Sequence, residues 1–185
     1  MHARGQKVQI EVAGKLLDIG TSHLESLADF SYQREEQLNF CLESLHPRRN
    51  AILLGDLNLL PFSDGPITLP EPWRDAWLSI AGHTEENGLT WDEAANVNVT
   101  FKRRRQHRPD RVLCKLQDFV VEEVAVVGRE LIGENLMISD HFGVFMRLSA
   151  VSSSTSDTMP PSPQASVGYT RVPFERPKDW KRYIG

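Results

Sequence analysis

A short apolar run that ends in a carboxylate and a carboxamide constrains this chain more than any other feature. In Ala51-Ile52-Leu53-Leu54-Gly55-Asp56-Leu57-Asn58, four apolar residues precede a glycine, and Asp56 and Asn58 then flank one leucine. A short run without alternation suits a strand covered on both faces, and covering both faces requires layers on either side of a sheet. Residues i and i+2 of an extended chain share a side. Asp56 and Asn58 are therefore expected to project together from the strand end, with Leu57 turned into the core. Strand ends of α/β sheets are where sites are commonly built. Asp offers a hard oxygen to a divalent cation, and Asn a neutral amide to a water or a phosphate oxygen. The alternative is that Asp-x-Asn is only a turn, because both residues favour turns.

The surrounding pattern supports a layered α/β domain over residues 1–150. Two alternating segments around Ala13-Gly14 predict a hairpin. Leu38, Cys41, Leu42 and Leu45 recur at helical spacing, and Pro47 ends that helix. The stretch EPWRDAWLSI reads as a short helix, and RVLC, FVVEEVAVVG and FGVFMRLS read as strands. From about residue 151 the composition changes. VSSSTSDTMPPSPQASVG is Ser/Pro-rich and is expected to be disordered, because it has little apolar surface to offset its ordering entropy. The basic-aromatic end, 169–185, is either a docking peptide for a protein partner or a solvated tail.

Composition excludes several classes. Two lone cysteines, Cys41 and Cys114, make neither a disulfide framework nor a zinc site, and they point to a reducing compartment. No apolar run is long enough to cross a bilayer as a helix. A net charge of −4 gives no global attraction to nucleic acid, so an anionic substrate must be held locally or through a cation.

Three further stretches carry chemistry. Ser139-Asp140-His141 stands directly before a strand and pairs a carboxylate with a titrating imidazole. His23 follows a strand in TSHLES, where a lone histidine is otherwise structural. Asp110 sits between two arginines in RPDRVLC, where the plain alternative is a surface salt bridge. The run FKRRRQHRPDR places Lys102, Arg103, Arg104, Arg105 and Arg108 just ahead of Asp110; it is either a DNA-phosphate contact or a solvated loop.

Taken together and in order, GDLN, PDRVLC and SDH resemble the motifs of the endonuclease/exonuclease/phosphatase superfamily of Mg-dependent phosphodiesterases. TSHLES and GLTWD look most like its 5′-tyrosyl-DNA phosphodiesterase branch. The resemblance covers roughly residues 7–149 and implies the C-terminal half of a four-layer DNase I-like α/β sandwich. It implies Asp56 and Asn58 on the scissile phosphate and attacking water, and His141 on a phosphate oxygen or a proton. Asp110 would fix the His141 tautomer, and His23 would stabilise charge on phosphorus. Trp91 would pack beside the substrate or support the site; on the DNA-phosphate reading of the basic run, Arg103, Arg104 and Arg105 would contact substrate. Mg²⁺, with Mn²⁺ as the alternative, would be held by Asp56 and Asp140. DNA ends or protein–DNA adducts are the implied partners, in a monomer that is nuclear rather than cytoplasmic. Complete members carry the principal metal-binding Glu in their first half, which has no counterpart here. The same resemblance therefore implies an inactive half-domain as the alternative.

Overall fold

In this computed structural model the structure describes residues 4–100, 103–151 and 169–172. The chain opens with the expected hairpin, β1 (Arg4–Val12) and β2 (Lys15–His23). Ala13 and Gly14 both take positive φ, 52° and 73°. That is the two-residue turn whose twist matches the flanking strands. A 3₁₀ turn leads into helix α1 (Ser31–Leu45), which returns the chain to strand β3 (Ala51–Asp56). β3 lies parallel to β2, as a crossover through a helix requires. Strand β4 (Arg74–Asp75) and strand β7 (Asp110–Lys115) complete a mixed sheet ordered β12-β1-β2-β3-β7-β4, where β12 is Tyr169–Val172.

Among the described residues there are also three two-stranded ribbons. β5 (Trp91–Asp92) pairs with β6 (Gln106–His107), and β9 (Leu131–Gly133) pairs with β10 (Leu136–Met137). β8 (Phe119–Val127) pairs with β11 (Gly143–Ala150) and packs over the main sheet.

The apolar run is covered on both sides, as its composition demands. Leu53 is buried under α1 with Leu38, Leu42, Leu45, Leu57, Trp73 and Leu113. Ile52 faces the other way and joins Leu17, Val112, Cys114, Trp77, Phe119 and Val124 beneath the β8–β11 ribbon. Each such side chain contributes about 1.5–3 kcal/mol on full burial. Among the described residues the second layer is incomplete. An apolar groove of ≈ 380 Å³ runs between sheet and ribbon, lined by Ile10, Val12, Ile19, Leu54, Val144 and Met146 among others.

The helix expected over EPWRDAWLSI is absent, and Arg74–Asp75 is an edge strand on β7 instead. Trp73, Ala76 and Trp77 have helical spacing, but they do not share a face. Trp73 enters the core under α1, whereas Ala76 and Trp77 enter the opposite one. Two cores drawing on one short segment mimic a helical period. The tail contributes β12, antiparallel to β1 with Tyr169 opposite Ile10 and Val172 opposite Lys7. Of the linker expected to be disordered, residues 151–168, all but Val151 lies outside the described residues, as do residues 173–185.

Candidate functional site

The site forms where β3 ends and β7 begins. These strands are antiparallel, and their register puts Asp56 directly opposite Asp110. Gly55 makes this strand end possible. Its φ is +138°, and a Cβ built there would lie 2.1 Å from the Ser22 carbonyl oxygen. Only glycine tolerates that φ and that approach.

Past Asp56 the chain does not stay extended. Asn58 has φ 49°, and its N–H donates to Asp56 Oδ1 at 3.1 Å. The motif is thus a turn as well as a strand end. The Asn58 side-chain amide donates to the Leu24 carbonyl at 3.2 Å. Leu57 is fully buried, as expected. His23, the last residue of β2, is largely exposed, with Nε2 3.6 Å from Asp56 Oδ2.

The hydrogen bond expected between Asp110 and His141 is present: Nδ1 to Oδ2 is 2.7 Å across 31 positions of sequence. Trp91 packs edge-on against the His141 ring, with centroids 4.9 Å apart. Three residues not singled out from the sequence hold this arrangement. Thr90 accepts from the Asp110 N–H through Oγ1 and from the Phe142 N–H through its carbonyl. Asn98 pairs with both the N–H and the carbonyl of Met137, and the fully buried Asn96 donates to the Ser139 carbonyl. The sequence signal was Asn96-Val97-Asn98 itself: two carboxamides in a stretch whose buried backbone needs partners.

The electrostatics couple these groups. Burial pushes the Asp56 carboxyl above its ordinary value and the Asp110 charge adds to this, while His141 and His23 oppose it. The His141 imidazole is raised, chiefly by its hydrogen bond to Asp110 against the opposing effect of burial. Because the folded-state value is raised, this interaction favours the folded chain below the ordinary imidazole range. That stabilisation is lost as pH climbs from about 6.5 through the raised value. Asp110→Asn is expected to move the His141 titration midpoint down, read by NMR of the imidazole carbon resonances. An unmoved midpoint would show that Asp110 does not govern His141.

Ligand atoms of Asp56, Asp110 and His141 all lie within 4.8 Å of one another. Two carboxylates forced together, one of them raised, form a donor set that a divalent cation would relieve. Their hard oxygens suit Mg²⁺. The His141 nitrogen suits it less, and its Nδ1 is already committed to Asp110. Asp140, expected as a metal ligand, is outside this group. It is exposed and meets Ser139 Oγ at 3.3 Å, because its neighbour His141 takes the inward direction.

Arg103, Arg104 and Arg105 are exposed in the turn before β6, the strand paired with Trp91. Lys102 lies outside the described residues. Arg108, grouped with them as a phosphate contact, is instead buried and bound to Asp75 and Glu85. Two carboxylates brought together by the fold claim it, a pairing that the local basic run conceals.

No protein-family model matches the chain. Its sequence is 29% identical over 153 residues to tyrosyl-DNA phosphodiesterase 2 of Mus musculus, covering 78% of this chain and 40% of that protein. It is similar to the crystal structure of D. rerio TDP2 complexed with single strand DNA product, with TM-score 0.71 and 27% identity. That match covers 80% of this chain and 62% of the other. An endonuclease/exonuclease/phosphatase from Beutenbergia cavernae shares the fold, with TM-score 0.57 and 21% identity, over 82% of this chain and 40% of the other. The chain spans about two fifths of the length of the curated relative from Mus musculus. The shared fold is the DNase I-like α/β sandwich expected from the sequence.

Proposed function

We propose that the chain is a member of the endonuclease/exonuclease/phosphatase superfamily, most like its 5′-tyrosyl-DNA phosphodiesterase branch, and that it carries one catalytic half of a Mg²⁺-dependent phosphodiesterase acting on DNA ends. The observation that carries this reading is the convergence of Asp56, Asp110 and His141, with His141 fixed by Asp110 at 2.7 Å.

The contacts support the following roles. Asp110 holds Nδ1 of His141, which leaves Nε2 for a phosphate oxygen or a proton in transit. Asp56, at the strand end facing Asp110, stands where it can orient the attacking water and take its proton. The water oxygen bonds to phosphorus as the leaving oxygen departs in line. Asn58, anchored on the Leu24 carbonyl, orients that water, and His23 faces the charge developing on phosphorus. Trp91 braces His141 and borders the substrate, and Arg103, Arg104 and Arg105 meet flanking phosphates. A divalent cation held by Asp56 and Asp110, with Asp140 acting through water, would supply Lewis-acid stabilisation of the phosphate oxygens. DNA-end substrates of this kind support a nuclear rather than a cytoplasmic site of action.

A second reading has its own observation. The described sheet leaves an apolar groove beside the β8–β11 ribbon, and the chain spans about two fifths of the curated relative from Mus musculus. The 185-residue chain alone is then an inactive half that still binds phosphate or DNA. The test is release of tyrosine from a 5′-phosphotyrosyl oligonucleotide with Mg²⁺, by this chain alone and fused to a relative's first half. The fusion should turn over at least about a thousand times faster than the chain alone. A folded but inert fusion would defeat the phosphodiesterase reading. Robust turnover by the chain alone would defeat the half-domain reading.

A further inference from the structure

Behind the site lies a group of four charges that the chemistry above does not use: Asp75, Arg108 and Arg111 are buried, and Glu85 reaches them from a half-buried position. Arg108 and Arg111 are almost wholly buried. Asp75 bonds both Arg108 terminal nitrogens, at 3.1 and 2.7 Å, and Arg111 Nη1 at 3.0 Å. Glu85 also bonds both arginines, at 2.8 to 3.2 Å. Arg111 Nη2 donates in addition to the Leu59 carbonyl at 3.0 Å. Two guanidinium charges are thus balanced by two carboxylates.

The contacts of this group bear directly on the site. Arg111 follows Asp110 in the chain, and Leu59 follows Asn58. Leu57 N–H donates to the Pro109 carbonyl at 3.0 Å, tying the two strand ends together between those points. Asp75 comes from the sheet edge, but Glu85 arrives from the irregular segment between Trp77 and Trp91. That segment is fitted to its place. Trp77 Nε1 donates to the Thr84 carbonyl at 2.8 Å, His83 stacks on Trp77, and a Cβ on Gly88 would lie 2.5 Å from Trp77 and 2.7 Å from Arg108. Burial pushes the Glu85 carboxyl up, yet Arg111 and Arg108 together hold it below its ordinary value.

We infer that Glu85 is a positioning residue for the site: it neutralises the buried Arg108–Arg111 pair and so fixes Asp110 and the Asp56–Asn58 turn relative to each other. Without its charge, Asp75 alone faces two guanidiniums, and a buried unpaired cation forces its surroundings to rearrange. The parts that must give are those Arg111 holds, namely the start of β7 and the Leu59 carbonyl. This inference rests on the functional reading only in naming what is positioned.

The test is native-state amide hydrogen exchange on the 185-residue chain, with no metal or substrate. In Glu85→Gln, protection at Leu57, Asp110 and Phe142 should fall at least about tenfold relative to amides within α1 and β3. A residue serving stability alone would lower protection uniformly. Removing the surplus cation as well, in Glu85→Gln with Arg108→Gln, should restore much of the selective loss. If Glu85→Gln does not fold, Glu85→Asp keeps the charge, withdraws it by one methylene, and is read in the same way. Unchanged or uniformly lowered protection in the folded variant overturns the inference. An inert fusion enzyme whose site amides still depend on Glu85 would leave it standing and defeat only the phosphodiesterase reading.

Discussion

Asp56→Asn, in a fusion that supplies both halves of the sandwich, should lower kcat about 10³-fold or more while leaving the fold intact. An amide cannot take the proton of an attacking water, and it is a poorer partner for a cation. The fold, by contrast, has little to lose. Asn retains an oxygen that can accept from the Asn58 N–H, as Asp56 Oδ1 does now. Substitution also removes a carboxylate that burial and the facing Asp110 both disfavour. Like charges directly opposite on paired strands destabilise, so the melting temperature should hold or rise slightly. Steady-state kinetics and a thermal melt on the same preparation decide the matter. Normal turnover in the variant would remove Asp56 from the mechanism.

Gly55→Ala should act in the opposite way, through the fold. The added methyl meets the Ser22 carbonyl oxygen at 2.1 Å, and φ of +138° is not open to alanine. The obstacle is backbone on the adjacent strand, so no side-chain rotation relieves it. Parting β2 from β3 would also strain the bond from Leu24 N–H to the Asp56 carbonyl. The expected cost is about 3 kcal/mol or more, against a usual margin of about 5–15. A denaturant titration of the variant measures it, and an unchanged midpoint would show that the strand end can relax. The two residues of Gly-Asp thus fail differently: one loses chemistry and keeps the fold, the other loses the fold first.

Local patterns were legible where one physical demand acted on one segment. The β1–β2 turn, the buried stripe of α1 and the doubly covered β3 each follow from a single periodicity or turn preference. The Asp110–His141 contact was legible for a different reason, since it rested on the order of motifs, which the fold then brings together. Elements serving two demands were misread. Trp73, Ala76 and Trp77 supply two cores and so imitate a helix. Arg108 sits in a basic run but answers to Asp75 and Glu85, 33 and 23 positions away. Asn58 was expected to continue a strand, yet it turns into the left-handed region to cap its own carboxylate neighbour. Asn96 and Asn98 offered only the weak signal of two nearby carboxamides, because holding a buried backbone needs only an amide in the right place.

The edge strand β12 has a practical consequence for handling the protein. It runs antiparallel to β1, so Val172 lies opposite Lys7, close to where Arg4 meets His23. Chain ahead of Arg4 and chain after Val172 therefore join the sheet at the same end, beside His23. A fluorescent label attached at position 4 or 172 would therefore sit at the rim of the site. Labels for binding or activity measurements are better placed at the far end of the sheet, for instance on the exposed Ala13-Gly14 turn.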